Sequence, residues 1–430
     1  MTSTPRASTQ AVAGRLVART TEITDPGPLL ELLPDAAEGA GEDPGLTAWL
    51  RRGEGIVGWG VAASIRTTGS GRFDDAVDWW REVAGAAVVR DDLRVPGSGL
   101  VCLASFAFAD EPGESVLVVP RVVVGRRGDR CWITLIGDDE LTPAPTLQRQ
   151  PEPRAPGNVV FTDGDVDSAE WEAIVARAVE RIGSGELEKV VLARDLVATT
   201  DEPLDVRWPL RRLGTSYEMC WTFHVDGLFG ATPELLVRRE RGLVTSRVLA
   251  GTIRRTGHDE RDLALAATLA RSSKDLEEHE YAVRSVAEAL APHCSSMNVP
   301  EAPFVLHLPN VMHLATDVAG VVPDTDGSTV LELAAALHPS AAVGGTPTKV
   351  AVEMIKEIEG MDRGRYAGPV GWMDAHGDGE FGIALRSAEY SGTRVRLFAG
   401  CGIVADSDPE AELAEAQAKF VPVRDALTAR

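Results

Sequence analysis

Along the first third of the chain, apolar residues recur in strand-like runs. Residues 15–19 read Arg-Leu-Val-Ala-Arg and residues 55–61 read Gly-Ile-Val-Gly-Trp-Gly-Val, a pattern that predicts half-buried strands across 15–65. Residues 73–89 break this rhythm, because Val77, Trp80, Val83 and Ala84 fall on one helical stripe. Strands return over 100–108, 116–124 and 131–136, with Gly-Arg-Arg-Gly-Asp at 125–129 predicting a hairpin between the last two. Residues 53–58, Gly-Glu-Gly-Ile-Val-Gly, satisfy GxGxxG. A dinucleotide site needs a helix directly after those glycines, and here Val57, Trp59 and Val61 continue a period of two. No chemistry is evident in this part.

From 138 to 157, Pro143, Pro145, Pro151, Pro153 and Pro156 stand among polar residues and predict an exposed connector. Asp167-Ser168 then caps a helix carrying Trp171, Ile174, Val175, Ala178, Val179 and Ile182 at helical spacing, ended by Gly183 and Gly185. Residues 188–197 form a strand whose alternation puts Lys189 on the face of Val191 and Ala193. A lysine at a strand start is commonly solvated; buried near other cations it would become a base. Residues 221–230 read as strand and run into 231–237, where Glu234 directly follows Pro233. A strand over 244–250 leads to 251–257, a basic loop with glycines suited to an anion. Residues 259–292 form a long helical stretch. His313 lies in a strand-like run, where a lone histidine is most often a hydrogen-bonded core residue. Residues 338–347 are too dense in glycine and proline for a helix. Residues 365–372 and 381–387 predict a turn into a hairpin, with Arg386 inside an apolar strand; a buried arginine there needs an anion.

Two pairs of carboxylates stand out. Asp275 and Glu278 are three apart in the helical stretch, and so are Glu412 and Glu415, so each pair shares a helix face. Asp408 reads as an N-cap with Pro409 at the first helical position. Either pair alone is explained by a solvated acidic face. If the two helices met, four oxygen ligands would surround a hard divalent cation such as Mg2+. The strand 398–404, Phe-Ala-Gly-Cys-Gly-Ile-Val, just precedes the second pair, and its glycine N–H groups can approach an anion closely.

With 430 residues, the chain has ample length for a large core. The balance of 65 acidic and 43 basic residues gives −22, which excludes nucleic acid and anionic membranes as expected partners. An anionic substrate would then need a metal and a few placed cations. Five cysteines without a CxxC predict free thiols in a reducing cytoplasm. Residues 1–14 read as a flexible N-terminus without a secretory h-region, and no apolar run is long enough to span a bilayer. The expected organisation is a sheet-rich part at 15–137, the connector at 138–157, and the part bearing the chemistry at 158–430.

Seven stretches together resemble the chorismate-binding enzymes, the family of isochorismate, salicylate, anthranilate and aminodeoxychorismate synthases. They are Lys-Val-Val-Leu-Ala-Arg from 189, Pro-Glu-Leu-Leu from 233, Ala-Gly-Thr from 250, Lys-Asp-Leu-Glu-Glu-His from 274, the His-Pro loop at 338, Arg-Tyr-Ala-Gly-Pro-Val-Gly from 365, and Ala-Gly-Cys-Gly-Ile-Val from 399 with its Asp-Pro-Glu helix. The resemblance covers about residues 170–425. It implies an α/β (α+β) fold in which two stacked, mainly antiparallel sheets are flanked by helices, so that the connector lies inside one fold.

It also implies residue roles. Glu278 and Glu415 would ligate Mg2+, with Asp275 and Glu412 contributing through water; most relatives carry Glu in place of Asp275. Tyr366 and Arg386 would hold the enolpyruvyl carboxylate, with Thr252, the Gly400 backbone and Lys419 helping at the second carboxylate, and His313 beside them in the substrate site. Ammonia-using members usually have Gln where this chain has Lys189, and aminodeoxychorismate synthases have a nucleophilic lysine where it has Ala250. Lys189 thus points to water as nucleophile, with neutral Lys189 as base and protonated Glu234 as acid on opposite faces of the ring. Ala342 replaces the threonine usual in salicylate synthases. The expected reaction is therefore chorismate to isochorismate, by an enzyme expected to be a monomer and to need no glutaminase.

Overall fold

The computed structural model describes residues 9–10, 15–35, 44–111, 113–138, 143–307, 311–323 and 327–428, leaving aside the side chains of residues 9, 10, 274 and 278. Of the expected flexible N-terminus, only the strand pair Thr9–Gln10 falls within these residues. The first part of the connector, 139–142, also lies outside them, and residues 143–157 carry neither helix nor strand.

Among the described residues, 22 strands join one continuous network. Its pairings are antiparallel except that of Leu16–Ile23 with Val88–Arg90. Four strands and two helices position the site: β1 (Lys189–Thr200), β2 (Leu243–Arg254), α1 (Ser273–Leu290), β3 (Val311–Val321), β4 (Arg394–Ile403) and α2 (Pro409–Leu427). From β1 the network passes through β4, Ser387–Ser391, Leu228–Thr232, Trp221–Val225 and Thr47–Arg51 to the long strand Glu54–Thr68. It continues through Glu114–Arg127, Val101–Ser105, Pro369–Asp374, Gly379–Ile383 and Leu235–Glu240 to β2 and β3. Lys189 of β1 and His313 of β3 line one cavity, so the two ends of this ribbon double back to face each other. That is how a single network supplies the facing layers of a mainly antiparallel α/β fold flanked by helices.

Burial follows the periodicity. The helix Ser168–Gly183 buries Trp171, Ile174, Val175, Ala178 and Ile182, and Asp167 caps it by accepting from Glu170 N–H. The completely buried rings of Phe106 and Phe381 lie 6.3 Å apart, each such side chain contributing roughly 1.5–3 kcal/mol. No helix among the described residues is long and apolar enough to cross a membrane.

The structure corrects several local expectations. The helix expected over 73–89 is Arg72–Ala86, and Val88–Arg90 is a strand. Residues 221–230 are not one strand but a hairpin that turns at Asp226 and Gly227, both at positive φ, 47° and 82°, a geometry that Asp-Gly favours. The loop expected over 251–257 is largely strand, because β2 runs on to Arg254 through a bulge at Gly251. The helical stretch 259–292 is two helices, Asp259–Leu269 and α1, with Ser272 capping the second by accepting from Asp275 N–H. Arg386 lies in no strand: at φ 49° it occupies the break between Gly379–Ile383 and Ser387–Ser391.

Candidate active site

A cavity of about 460 Å³ opens between the two ends of the ribbon, with α1 and α2 at its edge. That volume falls in the range of about 300–1,000 Å³ usual for small-molecule sites. Its lining includes Lys189, Glu234, Thr252, Asp275, His313, Ala342, Tyr366, Arg386, Gly400, Glu412, Glu415 and Lys419, which is every expected site residue but one. Glu278 lies one turn beyond Asp275 on α1, and its side chain is outside the described residues.

The floor is shaped by cross-strand pairing. In the β1–β4 ladder Val191 opposes Gly402 and Ala193 opposes Gly400, so the cavity face carries only small groups beside Lys189. Space there depends on glycine. A Cβ on Gly402 would come within 2.8 Å of Lys189 Cε, and one on Gly400 within 3.1 Å of Tyr366 Oη. Opposite, the bulge in β2 puts Gly251 at φ 73°, and a Cβ there would meet the Asp275 Cβ at 3.2 Å. The bulge brings Thr252 beside His313, whose Nδ1 lies 2.9 Å from the Thr252 hydroxyl.

The floor side chains are dry. Glu234 is 6% exposed, and burial pushes its carboxyl up to about 8 even though Arg386, Lys189 and Lys419 pull the other way. Burial, with Arg386 and Lys419 nearby, drives His313 down to about 3, and burial raises the Tyr366 phenol. All three are therefore neutral at pH 7. His313 Nε2 has no hydrogen-bond partner among the described residues, which leaves it available to a ligand. Arg386, half-buried, forms no ion pair among the described residues.

The helical rim is charged. Lys419 Nζ donates to the Gly400 carbonyl at 2.8 Å and pairs with Glu415 at 2.6 Å. Burial opposes the Glu415 charge, but Lys419, with Arg386 and Lys189, holds its carboxyl below the usual range. One turn earlier, burial raises Glu412, which accepts from the Ser407 hydroxyl at 2.7 Å. Ligand atoms of Cys401, Glu412 and Glu415 lie within 4.8 Å of one another. Burial lifts the Cys401 thiol to about 12, so it stays protonated and is no partner for a hard cation. Asp275 lines the same cavity but is not among the ligand atoms that cluster there; the Glu412 and Glu415 carboxylates, balanced in part by the Lys419 ammonium, are oxygen donors of the kind a hard cation such as Mg2+ takes.

One element of the site was missed in the sequence. The buried Arg363 pairs in two-pronged fashion with Glu359 at 2.7 and 2.6 Å and donates to the carbonyls of Val343 and Val191 at 2.9 and 2.7 Å. Glu359 also accepts from Ala193 N–H at 2.8 Å. This pair ties the loop bearing Ala342 to the strand bearing Lys189, and its i, i+4 spacing was the available signal.

A family model described as chorismate binding enzyme matches residues 6–428. The salicylate biosynthesis isochorismate synthase of Pseudomonas aeruginosa is 35% identical over 407 residues, 89% of this chain and 84% of that protein. Isochorismate synthase MenF of Bacillus subtilis is 36% identical over 273 residues, 63% of this chain and 58% of that protein, so the match spans less than two thirds of that relative. The crystal structure described as putative 2,3-dihydroxybenzoate-specific isochorismate synthase, DhbC, from Bacillus anthracis superposes with a TM-score of 0.74 at 32% identity, covering 90% of this chain and 97% of that one.

Proposed function

Since the chain belongs to the chorismate-binding enzyme family, we propose that it is an isochorismate synthase, converting chorismate to isochorismate. The observation that carries this reading is a buried, neutral Glu234 in the same cavity as Lys189. Lys189 takes a proton from water as the water oxygen bonds to ring C2. Glu234 gives its proton to the C4 hydroxyl, which leaves as water while the ring double bonds shift. Arg386 and Tyr366 hold the enolpyruvyl carboxylate. Thr252, His313 and Lys419 bind near the ring carboxylate, and the Gly400 backbone keeps the floor low.

Glu415 and Glu278 would hold Mg2+, with Asp275 and Glu412 acting through water. When bound, Mg2+ offsets the negative charge of the ring carboxylate. The enzyme works in the cytoplasm as a monomer and without a glutaminase, a setting that suits its five free cysteines.

The test is chromatography of the products from chorismate with purified protein and Mg2+, with and without EDTA. Isochorismate that disappears with EDTA is expected. Stoichiometric pyruvate would make the protein a salicylate synthase, and turnover only with ammonia would make it an amidotransferase-dependent synthase.

A further inference from the structure

Glu359 and Arg363 are 1% and 3% exposed, and the proposed mechanism gives neither a role. Arg363 lines the catalytic cavity, yet each of its nitrogens already donates, to Glu359 or to a carbonyl, and Glu359 meets its charge. It is therefore not built to hold a substrate carboxylate. A buried ion pair loses much of its attraction to desolvation and is often no more stabilising than apolar side chains of the same size. What such a pair does supply is geometry, because a two-pronged contact fixes direction as well as distance.

The geometry it fixes is that of β1. Along one edge β1 pairs with β4. Along the other, Lys189 and Val190 pair with Thr346 and Gly345, and Leu196 to Thr200 pair with Val159–Asp163. Between these two stretches, among the described residues, no strand lies alongside, and side chains take its place. Val191 N–H donates to the Gly344 carbonyl at 2.9 Å, and Arg363 donates to the Val191 carbonyl at 2.7 Å. Glu359 accepts from Ala193 N–H at 2.8 Å, and the Trp171 indole donates to the Ala193 carbonyl at 3.2 Å. The clamp thus grips β1 two and four residues after Lys189.

Two further segments meet the same guanidinium. It donates to the carbonyl of Val343, next to Ala342, at 2.9 Å, and it lies 4.1 Å over the Phe108 ring. Phe108 N–H donates to the Gly364 carbonyl at 2.9 Å, and His338 Nε2 donates to the Phe108 carbonyl at 3.0 Å. Phe108 belongs to the sheet-rich N-terminal part, in which no chemistry was evident. We propose that Glu359 and Arg363 are positioning residues that hold Lys189 at a fixed height beneath the substrate ring, with Phe108 making the N-terminal part a support for the base. This inference rests on the reading of Lys189 as the base, a group that must stand within hydrogen-bond reach of the proton it takes.

Steady-state kinetics and a separate binding titration with chorismate, on the full chain, test it. Arg363→Lys keeps a positive charge beside Glu359, but one ammonium cannot make the two-pronged contact and also reach both carbonyls. Its kcat is expected to fall about 10–100-fold while Kd for chorismate stays within about twofold. Glu359→Gln still offers an oxygen to Ala193 N–H and should lose less kcat, with the same split; it carries the test if Arg363→Lys does not fold. Phe108→Leu should lower kcat in the same direction by a smaller factor. Wild-type kcat in both Arg363→Lys and Glu359→Gln, or a lower melting temperature with kcat per folded molecule intact, would overturn the positioning role. Unchanged kcat in Phe108→Leu would overturn the support from the N-terminal part. Lys189→Ala separates the two levels: if it is inactive, these outcomes judge the clamp alone, and if it turns over normally, the reading of Lys189 as base falls and the clamp's role with it.

Discussion

Glu234 and Glu415 line one cavity, yet their carboxyls shift in opposite directions. Glu234 sits on the floor, sealed by Tyr366 and His313, and burial outweighs the attraction of three cations. Glu415 projects from α2 with its side chain 42% exposed and with Lys419 at 2.6 Å, and there the cation prevails over burial. The same side chain is thus an acid on the floor and a carboxylate at the rim, through surroundings alone. On the floor Glu234, Tyr366 and His313 are neutral at pH 7, whereas at the rim Glu415 is paired with Lys419. Under the proposed function, a dianionic substrate held at its carboxylates would bring its ring down to the dry floor.

The sharpest way to break this contrast is to remove a proton-transfer group. Glu234→Gln keeps the shape of the floor but has no acidic proton to give, and Lys189→Ala removes the base. Each is expected to lower kcat by about 10²–10⁴-fold while chorismate binding is largely kept. Single-turnover kinetics with a separate binding titration would check this; an unchanged kcat in Glu234→Gln would make the floor acid a bystander.

The next test concerns placement. Gly402→Ala puts a methyl within 2.8 Å of Lys189 Cε, so the lysine must move while its chemistry is unaltered. A drop in kcat of about 10–100-fold is expected, with little change in thermal stability, because the clash falls on a flexible side chain. If Gly402→Ala lost stability but kept kcat, Lys189 would not need its present position.

Much of this site was legible in the sequence, and what was not has identifiable causes. The period of two fixed the shared face of Lys189, Val191 and Ala193, and the Asp408-Pro409 cap fixed α2, where Asp408 accepts from Ala411 N–H. Arg386 was expected inside a strand because its neighbours are apolar; the backbone turn at φ 49° leaves no mark in side-chain type. The bulge at Gly251 looked like a loop for a related reason, since a glycine followed by Thr252, Arg254 and Arg255 favours either. That Trp49, Trp132, Trp221 and Trp372 line one cavity was invisible because they lie on separate strands that only the folded network brings together.

A smaller effect is expected in the pH dependence of rate. The acid must be protonated, so kcat/KM should fall as pH rises through about 8, the value to which burial brings Glu234. A profile with no alkaline limb near this pH in the wild type, or the same limb retained in the residual activity of Glu234→Gln, would detach that limb from Glu234.

The mildest prediction concerns stability. In the folded chain the Glu234 carboxyl titrates near 8, against an ordinary value of 4.5, so the folded state holds this proton more tightly than the unfolded state. Between those values the unfolded chain has released the proton and the folded chain still keeps it, and stability therefore falls as pH rises. The contribution is complete below about 4.5 and is lost by the time pH has passed about 8. Gln has no such proton, so Glu234→Gln should gain stability relative to wild type across this window, by roughly 1–3 kcal/mol at its upper end, and differ little near pH 4.5. Denaturant unfolding of both proteins at pH 5 and pH 8 measures the difference. An equal gap at both pH values would mean that the floor around Glu234 is open to water, and the contrast with Glu415 would then lose its physical basis.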